Sequence, residues 1–139
     1  MMKTIVRNIA AVLLGLVVGS AVNMGLIMLS GSVIPPPAGA DVTTTEGLKA
    51  SMHLFEPRHF LFPFLAHALG TLAGAAMATL VSTGRRIVYA MVVGAFFLAG
   101  GIAAVVMLPA PLWFNVTDLV LAYLPMAWLG HRLVASRRG

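Results

Sequence analysis

Apolar residues run in four long stretches along this chain of 139 residues, and most polar residues lie in the segments between them. The stretches span about residues 5–34, 58–82, 87–108 and 112–135. Their apolar positions are continuous, without the period of an amphipathic helix or strand. Each exceeds the roughly 20 residues that a helix needs to cross a bilayer. The pattern predicts an all-α integral membrane protein, a bundle of four transmembrane helices in a single domain over residues 1–139.

The first stretch predicts a retained helix, because the apolar part of a signal peptide has only about 7–15 residues. It also carries Gly15, Gly19 and Asn23, which are typical of helix packing. Three prolines at 35–37 end it, since proline has no N–H to donate. A loop over residues 35–57 then leads to the second stretch.

Composition points to the same class. The chain is 60% hydrophobic and 9% charged, whereas an average soluble domain is about 25% charged. The net charge of +5 does not indicate a nucleic-acid partner, because the basic residues flank the apolar stretches instead of forming a binding stripe. The expected partner is the lipid bilayer, and a homo-oligomer or a membrane protein partner stays open.

Lysine and arginine are distributed unequally between the two predicted sides of the membrane. One side carries no acid and seven basic residues: Lys3, Arg7, Arg85, Arg86, Arg132, Arg137 and Arg138. The other side carries Lys49 and Arg58 together with three acids: Asp41, Glu46 and Glu56. By the positive-inside rule, both termini are predicted to be cytoplasmic and loop 35–57 to lie outside.

The loop itself carries a helix signal. Thr43 and Glu46 have the spacing of a capping box. Leu48, Met52 and Phe55 then share one helical face. Two structures fit this pattern: an amphipathic helix on the outer membrane surface, or a loop folded over the mouth of the bundle.

Small residues and prolines predict how the helices pack. Two GxxxG pairs, Gly15 with Gly19 and Gly70 with Gly74, predict close helix contacts. Pro63 and Pro125 lie inside the second and fourth stretches, where each removes a backbone hydrogen bond to the carbonyl four residues back. They predict two kinks, either static or acting as hinges.

Asp118 is the most informative polar residue, because a carboxylate inside a membrane helix is expensive, roughly 2.5–3.5 kcal/mol on insertion scales. Polar residues of three stretches are predicted to reach similar depths and to form one column. This candidate intramembrane site comprises Asn23, His67, Thr71, Asp118 and Tyr123. Its candidate outer mouth comprises His53, Glu56, Arg58 and His59. The third stretch is nearly devoid of polar residues and is expected to be a lipid-facing wall.

The column admits three functions. The favoured one is a structural or accessory membrane protein, in which the polar groups pair with one another and no cavity reaches them. The alternative is a small transporter or channel subunit with a polar site inside the membrane. A membrane enzyme acting on a lipid-borne substrate ranks third. No catalytic residue, metal or cofactor is assigned, because no catalytic or nucleotide-binding motif occurs and no second histidine is expected to face His67.

Four short segments carry a resemblance to known sequences: Asn23-Met24-Gly25, Ser-Gly-Ser-Val-Ile-Pro-Pro-Pro at 30–37, Ser-Met-His-Leu-Phe-Glu-Pro at 51–57 and His-Ala-Leu-Gly-Thr at 67–71. Together they resemble an uncharacterised family of small four-helix bacterial inner-membrane proteins with no assigned activity. The resemblance implies a bacterial inner membrane and leaves the chemistry open.

Overall fold

The computed structural model describes residues 1–138, which form helices and loops without a strand among them. The helices are α1 Met2–Val33, α2 Thr45–Ser51, α3 Leu61–Val81, α4 Arg86–Met107, α5 Leu112–Leu121 and α6 Leu124–Arg137. Two short 3₁₀ helices, Met52–Leu54 and Pro57–Phe60, lie between α2 and α3. The all-α prediction is therefore confirmed for the described residues. Gly139, the last residue of the predicted domain, lies outside them.

Four helical segments are long and apolar enough to cross a membrane. They are Met2–Val33, Pro57–Val81, Arg86–Met107 and Leu112–Arg137. Their large apolar side chains, such as Leu13, Val17 and Phe96, face outward, whereas alanines such as Ala66 and Ala75 are fully buried. In a water-soluble protein, large aliphatic and aromatic residues fill the interior. Here small residues do so, which lets the helices approach closely.

Helices α1 and α3 approach each other closely. A Cβ atom added to Gly15 would lie 2.6 Å from the carbonyl oxygen of Gly74, and one added to Gly19 would lie 2.7 Å from that of Gly70. The order of the pairs shows that the two helices run antiparallel. Both GxxxG pairs therefore face each other, and no side chain fits between the two backbones.

The fourth apolar stretch is divided into α5 and α6. The break falls at Ala122 and Tyr123, and Pro125 stands in the first turn of α6. Pro63 stands in the first turn of α3 and causes no break there, because N–H groups in a first turn have no partner within the helix. At Pro125 the helix is interrupted, whereas the kink at Pro63 stays a prediction.

Loop 35–57 begins with a turn that fixes the start of α2. The hydroxyl oxygen of Thr44, not that of Thr43, caps α2 by accepting a hydrogen bond from the Gly47 N–H at 2.9 Å. Thr43 is already engaged, since its hydroxyl and N–H both donate to Asp41 Oδ1, at 2.6 and 2.9 Å. These two hydrogen bonds hold the pKa of Asp41 below its usual value, and the bond from the hydroxyl has the larger effect. The predicted capping residue was thus wrong by one position.

The apolar face of this loop covers one end of the helices. Leu48, Met52 and Phe55 line a cavity together with Ile27 of α1 and Pro63 of α3. Met52 is buried. Of the two structures that the sequence allows, the loop therefore folds over the helices. Residues 35–60 are called the cap below, and the helix ends beneath them the cap end.

The opposite end holds both termini and the turn between α3 and α4. Arg7 donates from Nε to the carbonyl of Val81 at 2.6 Å, and Arg138 donates to that of Leu80 at 3.3 Å. Arginines at this position satisfy carbonyls that have no partner within α3 and complement the negative end of its dipole. Asn8 adds bonds to Tyr89 and Thr83. This end is called the terminal end.

We expect the Gly74→Ala variant to lose about 1–3 kcal/mol in free energy of unfolding, the usual effect of overpacking. Its new Cβ atom would lie 2.5 Å from the carbonyl oxygen of Gly15, so α1 and α3 must separate. Titration with a denaturing detergent in mixed micelles measures the change. Gly25→Ala is the matched control, because a Cβ atom there meets nothing within 4 Å. Equal losses in the two variants would contradict the α1–α3 contact.

Candidate functional site

Asp118 lies at the centre of a hydrogen-bonded cluster with His67 and Tyr123. Its Oδ1 lies 2.8 Å from His67 Nδ1, and its Oδ2 accepts a hydrogen bond of 3.0 Å from the Tyr123 hydroxyl. Asp118 is only 4% exposed. The rings of His67 and Tyr123 stack with their centroids 5.8 Å apart. The three side chains, called the His–Asp–Tyr cluster below, thus come from α3, from α5 and from the break before α6.

The break after α5 brings Tyr123 to Asp118. Tyr123 has φ −115° and ψ −83°, outside the helical region. In a continuous helix, residues five apart do not share a face, whereas those three or four apart do. The interruption at Ala122 and Tyr123 lets the tyrosine hydroxyl turn back to a carboxylate five residues earlier. Pro125 therefore acts on the site by favouring the helix interruption that positions Tyr123.

Gly101 of α4 provides the space for the tyrosine ring. A Cβ atom at Gly101 would lie 2.5 Å from the Tyr123 hydroxyl oxygen and 2.6 Å from Cζ. Helix α4 is therefore a wall of the site. The expectation that the third stretch serves only as a lipid-facing wall is wrong, because a helix without polar side chains still shapes a polar site through its glycines.

One ring nitrogen of His67 is hydrogen-bonded to Asp118, and the other makes no hydrogen bond within the described residues. As a carboxylate, Asp118 only accepts hydrogen bonds, so the proton of the neutral imidazole lies on Nδ1. His67 Nε2 makes no hydrogen bond to any residue in 1–138. Its side chain is 26% exposed. A neutral His67 therefore presents an unshared electron pair at Nε2, as a base oriented by a carboxylate does.

A cavity of about 190 Å³ lies beside the cluster. It is lined by residues of α1, α3 and α4 and by Tyr123: Gly19, Ser20, Asn23, Ala66, His67, Gly70, Thr71, Phe97, Gly100, Gly101, Ala104 and Tyr123. Most of this lining is apolar. The amide of Asn23 makes no hydrogen bond within the part of the chain that the structure describes. Two of the lining residues therefore carry a polar group without a partner among the described residues, His67 at Nε2 and Asn23 at its amide.

A second cavity, of about 200 Å³, lies between the cluster and the cap. Asn115 and Asp118 line it from α5, and Leu48, Met52 and Phe55 line it from the cap. His67, Gly101 and Ala104 line both cavities. His67 thus stands between a cavity under the cap and one deeper among the helices. They are called the cap cavity and the deep cavity.

The five residues of the predicted column separate into two groups. His67, Asp118 and Tyr123 are bonded in the cluster. Asn23 and Thr71 line the deep cavity without touching Asp118. The Thr71 hydroxyl donates to the carbonyl of His67, one turn earlier in the same helix, at 2.7 Å. Thr71 therefore supports the backbone of His67 and offers little to a ligand.

The predicted mouth is not a single group. His53 is exposed, and Glu56 and Arg58 form an exposed ion pair at 3.0 Å, of a kind that contributes roughly 0–1 kcal/mol. His59 is 8% exposed, and its Nδ1 accepts a hydrogen bond from the Glu56 N–H at 2.9 Å. The placement of His59 at a solvated mouth is wrong, because the ring caps the turn that starts the third helix.

Several residues of the site carried no clear signal in the sequence. Phe97, Gly100 and Ala104 look like ordinary membrane-helix residues, and Ser20 is a single hydroxyl beside Gly19. The spacing of Gly101 opposite Tyr123 depends on helix pairing, which one sequence does not give. Within residues 1–138, no three His, Asp or Glu side chains come together as a metal site would require.

We expect Tyr123→Phe to lower the free energy of unfolding by about 1 kcal/mol, the scale of interhelical hydrogen bonds in membrane proteins. The buried carboxylate would lose one of its two side-chain donors. Tyr89→Phe is the matched control, because that hydroxyl accepts from the neutral amide of Asn8 at 2.8 Å. Detergent unfolding should show the larger loss for Tyr123→Phe, and equal losses would contradict a charged Asp118.

Comparison of the chain with protein-family models, curated proteins and solved structures gives no match.

Proposed function

We propose that the chain is an integral protein of a bacterial inner membrane, a bundle of four transmembrane helices with both termini cytoplasmic and the cap outside. Outward-facing large apolar residues on the four long helices support insertion. Hydrogen bonds from Arg7 and Arg138 to the end of α3 place the N- and C-terminal basic residues at one end of the molecule. That end carries seven of the nine basic residues, which supports a cytoplasmic location.

Within that membrane protein, the function best supported is a small transporter or channel subunit that binds a polar ligand at His67. The observation that carries the proposal is the 2.8 Å contact from Asp118 to His67 Nδ1, because it orients the ring and leaves Nε2 available. His67 Nε2 and the Asn23 amide both lack a partner among the described residues, and His67 and Asn23 line one cavity.

A structural or accessory protein is the second candidate, and the pairing of Asp118 favours it. Both carboxylate oxygens have a partner, so the cluster also joins α3 to α5 and to the start of α6. This candidate accounts for Asp118 and Tyr123. It does not account for the cavities on either side of His67.

Labelling of single cysteines tests the topology, and the native chain has no cysteine to interfere. We expect Lys49→Cys, in the cap, to react with a membrane-impermeant maleimide in intact cells. Ser136→Cys, at the terminal end, should react only after the cells are permeabilised. The reverse pattern would contradict the proposed orientation.

Native mass spectrometry in mild detergent tests the site. We expect an additional, stoichiometric mass on the wild-type protein, and its loss from His67→Gln, because the free ring nitrogen is then missing. Asp118→Asn should fold and bind less, since an amide no longer orients the imidazole as a carboxylate does. Glu46→Gln, the same change of acid to amide on an exposed residue, should behave as wild type.

Two results would contradict the transporter proposal and favour the accessory protein. One is a wild-type protein that carries no additional mass. The other is an Asp118→Asn protein that fails to fold, because Asp118 would then be required for structure.

A further inference from the structure

We infer that the ligand of His67 is a lipid-soluble molecule with a hydroxyl-bearing ring, which reaches the deep cavity sideways, between α1 and α4. This inference rests on the proposed function, since it names the ligand class of the same site and its route. It depends on where the cavity opens, how large it is and which hydrogen-bonding group it offers.

The deep cavity opens between α1 and α4. Toward the terminal end the two helices touch, because Cβ atoms at Gly15 and Gly19 would lie 2.9 Å from Val93 and 2.7 Å from Phe97. Toward the cap end, the cavity itself lies between them. Its lining there includes Ser20 and Gly100, and both residues are exposed at the surface of the molecule.

The other two directions lead toward the cap end and toward the terminal end. At the cap end, Leu48, Met52 and Phe55 cover the helices. At the terminal end, the Gly19–Gly70 backbone contact and the Phe97 ring form the floor of the cavity. In the proposed orientation, the opening at Ser20 and Gly100 lies among apolar residues of two membrane-crossing helices. A ligand that uses this opening comes from the lipid phase.

The size of the cavity fits one ring. An apolar protein cavity of about 150 Å³ binds benzene, and the deep cavity measures about 190 Å³. Phe97 and Tyr123 provide aromatic walls, and aromatic groups favour stacked or edge contacts with a ring. A headgroup of one ring fills this space, and an attached alkyl chain can remain in the opening.

The chemistry of the site selects a hydroxyl on that ring. With its proton on Nδ1 toward Asp118, neutral His67 accepts a hydrogen bond at Nε2. A phenolic O–H donates there. If the hydroxyl is acidic enough, its proton moves to Nε2, the oxygen keeps the electron pair, and the imidazolium is stabilised by Asp118. The Asn23 amide is available to a second polar group on the ring.

Para-nitrophenol probes test both the chemistry and the route, because the phenol is nearly colourless and its anion is yellow. We use one probe with an alkyl chain, which partitions into detergent or lipid, and the parent compound, which is water-soluble. With wild-type protein, the alkylated probe should turn yellow on binding. His67→Gln should weaken this binding about tenfold or more, the effect of removing one partner of a buried hydrogen bond.

Gly100→Leu is the decisive variant for the route. A Cβ atom at Gly100 meets nothing within 4 Å, so a side chain fits there without a clash, on a residue that lines the deep cavity. Gly25→Leu is the matched control, since Gly25 lies in equally open space on α1 and lines neither cavity. We expect the yellow signal to be lost in Gly100→Leu and kept in Gly25→Leu.

Other outcomes overturn the inference in distinguishable ways. If Gly100→Leu binds the alkylated probe as wild type while His67→Gln does not, the lateral route is wrong and the site stands. If the alkylated probe does not bind, or its binding is unaffected by His67→Gln, the hydroxyl-bearing ring is the wrong class. A cellular mass that requires His67 in native mass spectrometry would then keep the proposed function, and a protein without one would end both.

Discussion

Pairing of the Asp118 carboxylate is the interaction on which the rest of this structure depends. A buried ion is tolerated only when its oxygens have partners, and Asp118 obtains them from His67 and Tyr123. The first partner fixes α3 against α5. The bond from Tyr123 requires the helix to be interrupted at Ala122 and Tyr123. The Tyr123 ring in turn requires a glycine at position 101 of α4. One carboxylate therefore imposes constraints on three helices.

The α1–α3 contact imposes an equally local constraint with a different physical basis. Between Gly15 and Gly74, and between Gly19 and Gly70, the two backbones meet without side chains, so attraction comes from close packing instead of hydrophobic burial. Gly19 and Gly70 also line the deep cavity. The floor of the cavity is thus made of backbone, and its dimensions follow directly from how closely α1 approaches α3.

The long helices and several of the residues in contact could be predicted from the sequence. Continuous apolar stretches predict the long helices, and the GxxxG pairs and the isolated Asp118 point to residues that the structure brings into contact. The details that failed depend on competition or pairing between distant groups. Thr43 does not cap α2 because Asp41 already binds it, and His59 is buried because its ring caps a turn. Gly101 could not be assigned to the site, since its role exists only opposite Tyr123.

The same geometry explains how a chain with little intramembrane polarity can hold a reactive group. Asp118 has all its side-chain partners within the protein, so its charge stabilises the fold and is not offered to a ligand. His67 shares that stabilisation through Nδ1, keeps its remaining nitrogen unpaired among the described residues, and lines the deep cavity. Because the carboxylate fixes which nitrogen carries the proton, its hydrogen bond to Nδ1 leaves neutral His67 with a basic nitrogen in a defined direction. The unpaired nitrogen of a residue that lines a cavity is therefore the feature that favours binding over support alone.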